Sequence, residues 1–83
     1  MASQPHDYEL RMNAARYYIL QGQNTAAISH LQIATRLQPG LALPWIALGD
    51  ARELAGQDAA ARAAYERARR LEPGNALIDR GLG

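Results

Sequence analysis

The chain has 83 residues, a net charge of +1 and no cysteine. That describes one small domain with no disulfide, thiolate metal site or cysteine nucleophile, and without the basic surplus of a nucleic-acid module. No run of about 20 apolar residues occurs, so no membrane insertion is expected, and the all-arginine basic set reads as the codon bias of a GC-rich, bacterial genome.

Residues 1–7, Met1-Ala-Ser-Gln-Pro-His-Asp7, lack the basic and apolar blocks of a secretory signal. They are expected to form a disordered leader, and with Met1 as the natural start the protein is expected in the cytoplasm. A first helix is predicted over Tyr8–Gln21, with Leu10, Ala14, Tyr17 and Tyr18 at helical spacing. Gly22 ends it, because glycine accepts the left-handed backbone of a helix terminus. Asn24 is the expected cap of a second helix, which runs to about Leu37 with Ala27, Ile28, Leu31, Ala34 and Leu37 on one side. Pro39 forbids its continuation. Pro44 suits the first turn of a third helix, along which lie Trp45, Leu48, Gly49 and Ala51. Gly56 ends this helix, and Asp58 is expected to cap a fourth. Ala61, Tyr65, Ala68 and Leu71 form the apolar stripe of that fourth helix, and Arg69 and Arg70 meet the negative end of its dipole. Pro73 stops it. Asn75 then caps a last short helix through Ala76-Leu77-Ile78-Asp79-Arg80. Loops this short make consecutive helices antiparallel neighbours.

The second half of this grammar repeats the first. Shifted by 34 residues, Leu20 falls on Leu54, Gly22 on Gly56 and Gln23 on Gln57. Ala26-Ala27 falls on Ala60-Ala61, and Ala34, Arg36 and Leu37 on Ala68, Arg70 and Leu71. Pro39-Gly40 falls on Pro73-Gly74. The predicted fold class is therefore all-α. It comprises two antiparallel helix-turn-helix repeats, residues 8–41 and 42–75, followed by a short helix in 76–83. Gly49 and Ala61 remove bulk where the helices of the second unit cross, leaving Tyr65 or Leu31 to fill the space toward the next layer. Residues 76–83 begin a third unit, with Leu82 and Gly83 in the register of Leu48 and Gly49. Either the array is longer, or a partner, a second copy or the short helix itself covers the end.

These residues resemble the tetratricopeptide repeat family, whose pattern is W-x2-L-G-x2-Y…A-x3-F…P over 34 residues. The second unit shows Trp45, Leu48, Gly49, Ala61, Tyr65 in the Phe place, Ala68 and Pro73, with Arg52 where Tyr is expected. The first unit keeps Tyr18, Gly22, Ala27, Ala34 and Pro39, with Arg11, Ala14, Ala15 and Leu31 at the Trp, Leu, Gly and Phe places. The resemblance implies a TPR-like α-solenoid whose first helices line a concave, peptide-binding face. It implies that Glu9, Met12, Arg16 and Ile19, flanked by Leu20, face inward in the first unit. Leu43, Ile46, Asp50 and Glu53, flanked by Leu54, are their counterparts in the second. The spacing i, i+3, i+7, i+10 independently puts each set on one helix face. Met12, Ile19, Leu43 and Ile46 either pack between helices or mark an interaction surface. Arg16 and Asp50 either pair with each other or orient a ligand. Family members that clamp acidic C-termini use Lys and Asn at places held here by Met12, Arg16, Ala47, Leu77 and Gly81. An apolar or amphipathic ligand segment is expected instead.

Other chemistry is sparse. His6 lies in the leader, and His30 has no acidic or histidine companion on its helix to complete a metal set. Asp50, Glu53, Asp58, Glu66 and Glu72 have no adjacent nucleophile. Glu66 and Arg70 are spaced as a surface ion pair. The arginines 62, 67, 69 and 70 are interrupted by Glu66 and Glu72, which argues against nucleic acid. The expectation is a non-enzymatic protein–protein interaction module without cofactor or metal. Homo-oligomeric self-assembly, or a regulatory repeat domain of a larger protein or enzyme, are the alternatives.

Overall fold

A computed structural model of the chain describes residues 7–82. Among these, the elements are α1 (Asp7–Leu20), α2 (Asn24–Leu37), α3 (Ala42–Leu54), α4 (Asp58–Leu71) and α5 (Ala76–Leu82). The expected leader lies outside the described residues except for Asp7. That residue instead opens α1 and adds negative charge to its first turn, where the helix dipole favours it.

Two identical turns join the helices within each unit. After α1 the Gln23 N–H donates to the Tyr18 carbonyl at 2.8 Å and the Gly22 N–H to the Ile19 carbonyl at 3.0 Å. After α3 the Gln57 N–H donates to Arg52 at 2.8 Å and the Gly56 N–H to Glu53 at 3.0 Å. This paired pattern closes a helix through one left-handed residue; Gly22 has φ 76° and Gly56 φ 79°. The same turns correct the expected caps. Gln23 and Gln57, not Asn24 and Asp58, precede the helices, and neither gives a side-chain cap. Their carbonyls already accept the first helical N–H groups, from Ala27 and Ala61. The turn thus leaves Asn24 and Asp58 inside the helix, and Asp58 acts there as first-turn charge. Asn75 is a true cap: its Oδ1 accepts the Leu77 N–H at 2.9 Å.

Each helix packs on the next in sequence, and α3 also touches α5. The result is a slab of 38 × 28 × 17 Å with two core layers. The first unites Ala15, Ala27, Ile28, Leu31, Leu48, Ala51 and Ala64. The second unites Ala42, Ile46, Ala61, Tyr65, Ala68 and Ile78. Trp45 packs against both, and its Nε1 donates to the Pro39 carbonyl at 3.3 Å, tying α3 to the turn between units. Arg52, at the Tyr place of the pattern, leaves its Nε buried without a hydrogen-bond partner.

The apolar residues of α1 read at helical spacing divide between core and surface. Leu10 and Tyr17 are 57% and 58% exposed, whereas Ala15 is buried and Met12, Tyr18 and Ile19 pack on the first layer. Apolar residues run around most of α1, so helical period alone does not select its inner face.

The two layers solve one packing problem with different volumes. A Cβ on Gly49 would lie 2.8 Å from Tyr65 Cε1, and one on Gly81 2.5 Å from Tyr65 Cζ. The tyrosine ring therefore needs a glycine on each side. One repeat earlier the places of Gly49, Tyr65 and Gly81 hold Ala15, Leu31 and Ala47, which share the first layer. A smaller filler there leaves room for methyl groups. The second flanking glycine is thus Gly81, the counterpart of Ala47.

Candidate functional site

Because α1, α3 and α5 occupy equivalent places in successive units, their shared side carries equivalent hollows. Between α1 and α3 lies a cleft of about 200 Å³, lined by Met12, Ala15, Arg16, Ile19, Leu20, Leu31, Leu43 and Ala47. Between α3 and α5 lies a second of about 200 Å³, lined by Ile46, Asp50, Glu53, Tyr65, Leu77, Arg80 and Gly81. Apart from Ala15 and Leu20, every residue of the first has its 34-residue counterpart in the second. Met12 maps to Ile46, Arg16 to Asp50, Ile19 to Glu53, Leu31 to Tyr65, Leu43 to Leu77 and Ala47 to Gly81. The shared side of α1, α3 and α5 thus carries two copies of the same hollow.

The predicted site residues divide between these hollows. Met12, Arg16, Ile19 and Leu43 meet in the first, and Ile46, Asp50 and Glu53 in the second. Glu9 is exposed on α1 and lines neither. Met12 and Ile19 are half-buried against the first core layer, so they pack as well as line the first hollow. Ile46 is only 7% exposed and belongs chiefly to the second layer. Leu43 is 57% exposed and projects from α3 without such support.

The hollows differ in chemistry. In the first, Arg16 is the only charged residue among apolar neighbours. In the second, Asp50 and Glu53 stand opposite Arg80. Asp50 does not take Arg16 as partner; its Oδ1 accepts a hydrogen bond from the Tyr65 hydroxyl. Burial, then that bond and the charges of Asp50 and Glu53, push the Tyr65 hydroxyl well above the usual tyrosine range. This bond is not legible in the sequence, because Tyr65 reads as a filler and its hydroxyl reaches Asp50 only once α3 and α4 cross. Arg80 is a residue that sequence reasoning missed, although the 34-residue shift from Ile46 points to it.

Elsewhere, His30 is held as a structural group. Arg11 Nη1 donates to its Nδ1 at 3.1 Å, and Tyr18 stacks on its ring with 5.5 Å between centroids. A shallow hollow between α3 and α4 is lined by Trp45, Ala63, Glu66, Arg67 and Arg70, with the Arg67 guanidinium 5.4 Å from the Trp45 ring centroid. Among the described residues no three His, Asp or Glu side chains are grouped to hold a metal ion. No helix among them is long and apolar enough to cross a membrane. Comparison with protein-family models and with curated proteins gave no match.

Proposed function

We propose that this chain is a tetratricopeptide-type interaction module that binds a segment of a protein partner across α1, α3 and α5. The observation that carries this reading is the pair of hollows related by the 34-residue register. A polypeptide is itself a regular repeat, and adjacent equivalent hollows suit successive side chains of one extended or helical segment. The half-exposed apolar residues of the first hollow supply contact area, and Met12 supplies an adaptable surface. The test is to select peptides on the chain from a random display library and follow them by NMR titration. Signals of Met12, Ile19, Leu43 and Asp50 should move. Shifts confined to α2 and α4 would remove the groove from consideration.

A second reading, self-assembly, is favoured by the bare outer face of α1, where Leu10 and Tyr17 are both more than half exposed. Light scattering over a concentration range should then show association that Tyr17→Glu abolishes. A mass that stays monomeric at every concentration removes this reading.

A further inference from the structure

The two hollows are geometric copies, yet their charges are opposed. Where the first presents Arg16 the second presents Asp50, and where the first presents Ile19 the second presents Glu53. Resting on the groove reading above, we infer that the groove selects a segment bearing one apolar and one basic side chain about three residues apart. The apolar side chain sits between α1 and α3, and the basic one between α3 and α5.

The spacing follows from helix geometry. Packed helices lie about 8–10 Å apart, so hollows offset by one layer are separated by roughly 10 Å. An extended chain in the polyproline-II conformation turns once every three residues and rises about 3.1 Å per residue, so side chains three positions apart share a face and span about that distance. The chemistry follows from the linings. Met12, Ile19 and Leu43 accept an apolar side chain. In the second hollow two carboxylates outnumber the single Arg80, and Asp50 uses only Oδ1 toward Tyr65. Their negative field is felt at the hollow's floor, where it helps retain the Tyr65 proton.

Arg16 makes the selection directional. A ligand bound in the reverse direction would place its cation beside Arg16 and its apolar side chain among Asp50, Glu53 and Arg80. Discrimination then comes from repulsion in the wrong orientation as well as attraction in the right one.

The test uses the full chain and fluorescein-labelled, end-blocked peptides of a neutral serine-alanine background. Each carries one Leu and one Lys three positions apart, in both sequence orders, and binding is read by fluorescence anisotropy. In the better order, Lys→Glu and Leu→Ser in the peptide should each weaken binding by about tenfold, and the Lys effect should shrink as salt rises. With the Glu53→Lys chain, whose helical circular dichroism is checked first, the preference for Lys over Glu should shrink to parity or reverse. Equal binding of the Lys and Glu peptides, or no binding of either order at millimolar concentration, overturns the inference. If charge discrimination is absent but Leu43→Asp still abolishes binding, the groove reading survives and only the ligand class falls. If Leu43→Asp leaves binding unchanged, the groove itself is the wrong place.

Discussion

Tyr65 joins three parts of the molecule with one side chain. Its ring lies against Gly49 and Gly81, and its hydroxyl holds Asp50. Gly49→Ala should therefore destabilise the fold by roughly 1–3 kcal/mol through overpacking, read as a lower urea midpoint. Tyr65→Leu recreates the alanine–leucine fit of the first unit. The double variant should accordingly be more stable than the sum of the two single changes allows. The hydroxyl gives a separate prediction. Its folded pKa is raised above the ordinary value of about 10, so its stabilising effect is fully present below that pH and fades as pH climbs past it. Thermal melts from about pH 8 to 11 should show alkaline destabilisation, and Tyr65→Phe should reduce it. Tyr8, also raised by burial, should leave a remnant. An unchanged pH profile in Tyr65→Phe would remove the assigned role of the hydroxyl.

At the scale of elements, similar-looking residues do different work because the turns differ. Asn75 follows Gly74, and its side chain caps α5 by accepting the Leu77 N–H while its Nδ2 donates to Glu72 at 3.0 Å. Asn75→Ala should lose about 1 kcal/mol, with faster amide exchange confined to α5. Asn24 stands already inside α2, so Asn24→Ala should fall within about 0.5 kcal/mol of the parent. A comparable loss at both positions would contradict the assigned helix starts.

Across the whole molecule, helices in contact are mostly sequence neighbours, so stability should behave as a sum of layers and their interfaces. That makes the short α5 more important than its length. Ile78 is fully buried and, with Gly81, covers the open side of Tyr65. Ile78→Ala should cost about 2–5 kcal/mol, as for a central core residue, measurable by denaturant unfolding. A loss near zero would show that α5 leaves the second layer intact when it detaches.

The sequence by itself determined the all-α class, the helix count in residues 7–82 and where most helices stop. Those features are local: glycine and proline act on their own backbone, and a 34-residue recurrence is visible without knowing any contact. It also marked one face on each of α1 and α3, because i, i+3, i+7, i+10 spacing is a property of a single helix. Only tertiary structure decided which faces are buried, as the exposure of Leu10 and Tyr17 and the burial of Ile46 show. Burial depends on the neighbouring helix, and α1 offers apolar residues on several sides. Tertiary structure likewise decided that Asp50 belongs to Tyr65 and not to Arg16. The 34-residue shift pairs Arg16 with Asp50 along the groove, but hydrogen bonds require contact distance, which the crossing of α3 and α4 creates.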